Sequence, residues 1–156
     1  MLRGEFVRGD GLIIPNNITT YGAETILGAA LRGEATTLHI GLANCNPHPL
    51  LNLNQLNEPT IGVNGYARQT IGQDDTDWLT KGSLSGETYF ETRNYIFVPT
   101  GAGFDKPITR PVIVNHATST AGLLVVAVGS ALPEEVTLLA TTPEAERTFK
   151  YRIFAR

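Results

Sequence analysis

The run Leu-Leu-Val-Val-Ala-Val from Leu123 to Val128 is apolar at every position, with no alternation that would leave one face for water. A strand of that composition must be covered on both sides, which places it centrally in a sheet or beneath a helix. The rest of the chain supplies suitable neighbours. Thr37 to Ala43 alternates, with Leu38, Ile40 and Leu42 on the inward face. Tyr66–Ile71, Thr88–Val98, Val112–Asn115, Val136–Ala140 and Thr148–Phe154 carry the β-branched and aromatic residues of strands. About seven strands at this spacing predict a mainly β fold, a β-sandwich or jelly roll.

One helix interrupts the β pattern. Thr19 or Thr20 offers an N-cap and Gly33 a C-terminal stop, which predicts a helix over residues 21–32. Ala23, Ile26, Leu27, Ala30 and Leu31 form its apolar stripe, expected to pack on the sheet. Gly22 and Gly28 weaken it by roughly 1 kcal/mol each, so docking must hold it. The reading gives one domain at 18–156, preceded by an N-terminal arm at 1–17 whose first ten residues alternate polar and apolar.

Two long irregular stretches separate strands. Asn44 to Thr60 exceeds the ~12–15 residues usual for an unstructured connection and holds Leu50, Leu51, Leu53 and Leu56. That apolar content is too high for disorder, so the loop either covers its own core or docks on a neighbour. The four leucines are the candidate intersubunit contacts. The second stretch, Gly72 to Gly86, carries Asp74, Asp75, Asp77 and the lone Trp78.

Between these loops lies Leu-Asn-Glu-Pro-Thr-Ile-Gly-Val-Asn-Gly-Tyr-Ala-Arg-Gln, Leu56 to Gln69. Pro59 disfavours helix at Glu58, and Asn64-Gly65 tolerates positive φ, so the segment turns there and enters a strand at Tyr66. The part from Glu58 to Gln69, with Leu38–Asn44 and Thr141–Arg152, resembles small virion structural proteins of tailed bacteriophages. The resemblance runs from about Ile18 to the C-terminus. It implies a non-enzymatic subunit of the virion, made in the host cytoplasm. Its partners would be copies of itself and other virion proteins such as the major capsid or neck and tail proteins. A head decoration or cement subunit is the first expectation, and a neck, collar or tail subunit the alternative.

Composition narrows the remaining classes. Charged residues are only 17% of the chain, against roughly 25% in ordinary soluble domains, and 16 Gly and 9 Pro make it rich in turns. Both suit a β-domain that hides surface in an assembly. A net charge of −3 gives no electrostatic case for nucleic acid. The basic C-terminal segment, with Arg147, Lys150, Arg152 and Arg156, reads as a solvated or subunit-facing strand whose other face is Phe149, Tyr151 and Ile153. No stretch approaches ~18 apolar residues, and the N-terminus lacks the apolar core of a signal peptide.

No residue set completes a catalytic or cofactor site. Cys45 and His48 have the spacing of half a zinc site without a second half. Asp74, Asp75 and Asp77 lack the glycine and terminal Glu of a calcium loop and read as a turn. On one strand face Glu87 and Glu91 stand roughly 13 Å apart, too far for glycosidase chemistry. A rival to the virion reading is a carbohydrate- or receptor-binding β-module, for which exposed Trp78, Tyr89 or Tyr95 would form the platform.

Overall fold

The computed structural model describes residues 2–155 of the chain. It is mainly β, with one α-helix. Ten strands make one antiparallel, curled sheet: β1 (Leu2–Arg8), β2 (Ile13–Ile18), β3 (Leu38–Ala43), β4 (Gln69–Ile71), β5 (Thr80–Leu84), β6 (Glu87–Glu91), β7 (Tyr95–Ile96), β8 (Arg110–Val114), β9 (Val125–Gly129) and β10 (Thr148–Ala155). Nine follow the order β4-β3-β8-β9-β2-β1-β10-β6-β5, and β7 pairs separately with β10.

The bend occurs at β2. Its first half pairs with β1, as in Phe6 opposite Ile14, and its second half pairs with β9, as in Asn17 opposite Val128. The two halves of the sheet share one core. Phe6, Phe149 and Tyr151 from one half belong to the same buried cluster as Leu38, Ile40, Ile113 and Val126 from the other.

Of residues 1–17, expected as an arm, residues 2–17 instead supply β1 and most of β2 at the middle of this path. Alternation was the relevant signal: the apolar Phe6 and Ile14 point into the core, while Arg3 and Glu5 find partners on the other face. Two further expectations shift. Val136–Ala140 forms only an isolated bridge to Ile108, and Thr88–Val98 splits into β6 and β7.

The apolar run is covered as read from Val125 on, whereas Leu123 and Leu124 precede the strand and Leu123 is exposed. β9 lies between β8 and β2, and Val125 to Val128 are all buried. Val126 and Ala127 face the shared core, while Val125 and Val128 join a second cluster behind the sheet. The helix α1 spans Thr20–Arg32, capped by the Thr19 side chain and ended by left-handed Gly33. It docks on β9, but through Gly22 rather than through its apolar stripe. A Cβ on Gly22 would stand 1.9 Å from the Val126 carbonyl oxygen, so only glycine permits this approach. Ile26 reaches the core, whereas Leu27 and Leu31 stay exposed.

Candidate interaction surface

The segment that stands out most in the sequence is engaged inside the fold. Glu58 and Arg68 are both buried and form a forked ion pair, with Arg68 Nε 3.2 Å from Oε2 and the other guanidinium nitrogen 2.9 Å from Oε1. Arg68 also donates to the His116 carbonyl at 2.8 Å. The hydroxyl of the fully buried Tyr66 accepts from the Leu42 N–H at 3.0 Å. The segment is thereby bonded to β3 and to the loop after β8. Burial pushes the Glu58 carboxyl above its usual range, with Arg68 opposing. Burial and the neighbouring Arg68 and His116 lower the imidazole of His39.

The turn at Asn64 (φ 48°) and Gly65 (φ 81°) is present, and the Asn64 side chain bonds the Gly103 carbonyl. The strand begins three positions later than expected, at Gln69. Tyr66 is held in the turn by bonds to Val63 and Gly62, which delays the extended conformation.

The leucine loop is an ordered lid. Asn52 and Gln55 form a capping box around a short 3-10 turn at Leu53–Gln55, and Leu53 N–H bonds the Gly122 carbonyl. Leu51, Leu53 and Leu56 are buried with Val112, Val114, Val125 and Val128 behind the sheet. Three of the four candidate interface leucines therefore belong to the subunit's own core, because the outer face of β8 and β9 is itself apolar and needs cover. Leu50 alone remains on the surface, 63% exposed.

The basic face of β10 is neutralised within the chain. Arg152 pairs with Glu5 at 2.6 Å and with Glu91, Lys150 with Glu91 at 3.1 Å, and Arg3 with Glu87 at 2.6 Å. This corrects the reading of a strand whose charges face solvent or a neighbour. Register explains it: Glu5, Arg152 and Glu91 stand side by side on β1, β10 and β6. Burial works against the charge on Glu91, yet Arg152 and Lys150 hold its carboxyl below the ordinary range. Phe154, on the same face as Lys150 and Arg152, is buried beneath the Arg3 guanidinium. Arg156 lies outside the described residues.

The other candidates are likewise occupied. Asp77 accepts from Arg93, Tyr95 and the Gly72 N–H, and Asp74 accepts from the N–H groups of Thr76 and Asp77. Cys45 is buried, its thiol raised by desolvation. Among the described residues, no three His, Cys, Asp or Glu side chains are grouped to hold a metal ion. Tyr95 is fully buried, Tyr89 packs on Phe154, and Trp78 contacts Tyr151, so the three aromatics share no platform.

No family model and no curated protein matches this chain. What the chain leaves open lies in its geometry. Two clefts flank α1. One, of about 710 Å³, lies against Leu27, Leu31, Glu34 and Asn115. The other, of about 510 Å³, is mainly apolar and runs between Ile26 and Ala30 of the helix and Phe90 and Ile153 of the sheet, with Trp78 of the β4–β5 loop. Leu31, 79% exposed, lines the first. Next to Phe90, the β5–β6 hairpin carries exposed Leu79 and Leu84. Sequence periodicity found the helix stripe but assigned it to the core. Gly22, whose missing side chain sets the docking face, was the clue to the opposite outcome.

Proposed function

We propose that the chain is a non-enzymatic structural subunit of a tailed-bacteriophage virion, binding copies of itself and neighbouring virion proteins. The observation that carries this reading is the apolar surface around α1, with Leu27 and Leu31 exposed at one cleft and a second, mainly apolar cleft against Ile26 and Ala30. Exposed apolar side chains that line clefts, as Leu27 and Leu31 do at one and Phe90 at the other, mark a protein contact more often than ones scattered singly. The titratable clusters support the same reading, since Glu58, Glu91 and Asp77 are each spent on ion pairs that hold the fold. The motif resemblance supplies the particle, with head decoration as the first assignment and the neck, collar or tail as the other. In this reading the curled sheet acts as a sandwich-type scaffold, its two halves facing each other across the shared core.

Among the described residues no helix is long and apolar enough to cross a membrane. The test replaces Leu27 and Leu31 with Ser and follows both thermal melting and incorporation into particles. Both positions are exposed, so melting should stay within about ±0.5 kcal/mol of the parent while incorporation falls. Normal incorporation of the variant would refute the helix surface as the contact.

A further inference from the structure

β5 is the terminal strand of the sheet. It joins β6 through Ser85 and Gly86, whose positive φ values of 51° and 79° are those of a two-residue hairpin turn. Such a turn makes Leu84 and Glu87 a hydrogen-bonded pair. Alternation then gives Thr80, Gly82 and Leu84 the bonds to β6 and directs the N–H and C=O groups of Lys81 and Ser83 away from the sheet. Among the described residues, neither Lys81 nor Ser83 finds a backbone partner elsewhere.

Natural edge strands are usually blunted by proline, a bulge or several charges. β5 has no proline or bulge and one charge, Lys81. Leu84 is 47% exposed on one of its faces, and Phe90, opposite Lys81, is 46% exposed on the other. β6 is already paired with β10 on its other side, so the backbone groups left open are those along the β5 edge.

The sequence of β5 fits one strand in particular, its own. A two-fold axis at Gly82 places Lys81 opposite Ser83 of the second copy and Thr80 opposite Leu84. The only charge in the strand therefore never meets its like directly. Gly82 then faces Gly82 where antiparallel strands come closest. Tyr89 already covers each glycine from one side, its ring 2.7 Å from where a Cβ would sit. We propose that β5 pairs antiparallel with β5 of a second copy of this chain, about a two-fold axis at Gly82, so that one sheet runs through two subunits. The pairing rests on the assembly reading above and assigns it a contact. It is isologous, as closed dimers require, and small, which suits a contact strengthened by neighbouring ones in a lattice.

The register makes the test specific. Sedimentation equilibrium of the full chain at low salt would compare the parent with Ser83→Lys, Ser83→Glu and the double variant Lys81→Glu/Ser83→Lys. Ser83→Lys sets two lysines directly opposite two others and should weaken the dimer about tenfold. Ser83→Glu creates two opposite-charge pairs and should tighten it several-fold, and the double variant should restore association. Melting of dilute protein reports that each variant folds. A parent that remains monomeric at about 1 mM, or variants that associate equally, would overturn the pairing. So would Lys81 and Ser83 amides that gain exchange protection only when an extended peptide of another virion protein is added. A monomer that still enters particles would remove the β5 pairing and leave the assembly reading standing. A β5 dimer that never enters them would do the reverse.

Discussion

The Glu58–Arg68 segment and the β5–β6 hairpin are opposites. The first is short of regular structure, yet Glu58, Tyr66 and Arg68 are all buried and joined to β3 and the loop after β8. The second is regular in every backbone bond it makes to β6, yet exposes apolar side chains on both faces. Irregular backbone here is made rigid by a buried ion pair, and regular backbone is left free to meet something else. The lesson is that a motif can be conspicuous because the fold needs it, while the surface proposed to face a partner carries no motif.

The largest effect that would break this contrast lies in the ion pair. Arg68→Met strands the Glu58 carboxylate in the core and should cost about 3–5 kcal/mol in urea unfolding, whereas adding Glu58→Leu should recover most of the loss. A single variant of parental stability would show that the segment is not held from inside.

A similar scale applies to the lid. Leu53→Ala removes a buried side chain from the cluster behind the sheet and should cost about 2–4 kcal/mol, read from the same unfolding curves. A change near zero would return the loop to the surface.

The charged ladder across β1, β10 and β6 sharpens the comparison through pH. The folded-state pKa of Glu91 is depressed, so its contribution is present above the ordinary carboxylate range and is lost as pH falls through the folded value. Glu58 is raised, so its contribution has the opposite sign, present at low pH and lost as pH rises through the folded value. Glu91→Gln should therefore cost about 1–2 kcal/mol at neutral pH and flatten the loss of stability on acidification. An acid limb of unchanged steepness would mean that other carboxylates control it.

The smallest effect belongs to the hairpin. Leu84→Ser should leave melting of the isolated subunit within about ±0.5 kcal/mol, because the side chain is half exposed. A clear drop would mean that the subunit itself relies on that face.

Much of the fold was legible in residue pattern. The apolar run of β9, the alternation of β3 and β10, and the Thr19 and Gly33 caps of α1 each express a local rule that the structure obeys. The failures share a cause, which is that register and docking are not local. The short, alternating β1 lacks the β-branched density that signals a strand in sequence, although it sits between β2 and β10. Lys150 and Arg152 looked like a free basic face because Glu5 and Glu91 are distant in sequence and adjacent only in register. The leucine loop had two possible destinations, and the apolar outer face of β8 and β9 decided between them. The helix stripe predicted burial correctly for Ile26 and wrongly for Leu27 and Leu31, since Gly22 set the angle of approach.

The central claim is that partners meet the chain at α1 and the hairpin, while Glu58 to Arg68 serves the interior. Amide hydrogen exchange, compared between the free subunit and the subunit in purified particles, tests it most directly. The account predicts that Leu42, whose N–H is bonded to Tyr66, is slow in both states. New protection on assembly should fall on Leu27 to Arg32 and on Leu79 to Ser83. Protection gained instead across Glu58 to Arg68, with the helix and hairpin unchanged, would contradict it.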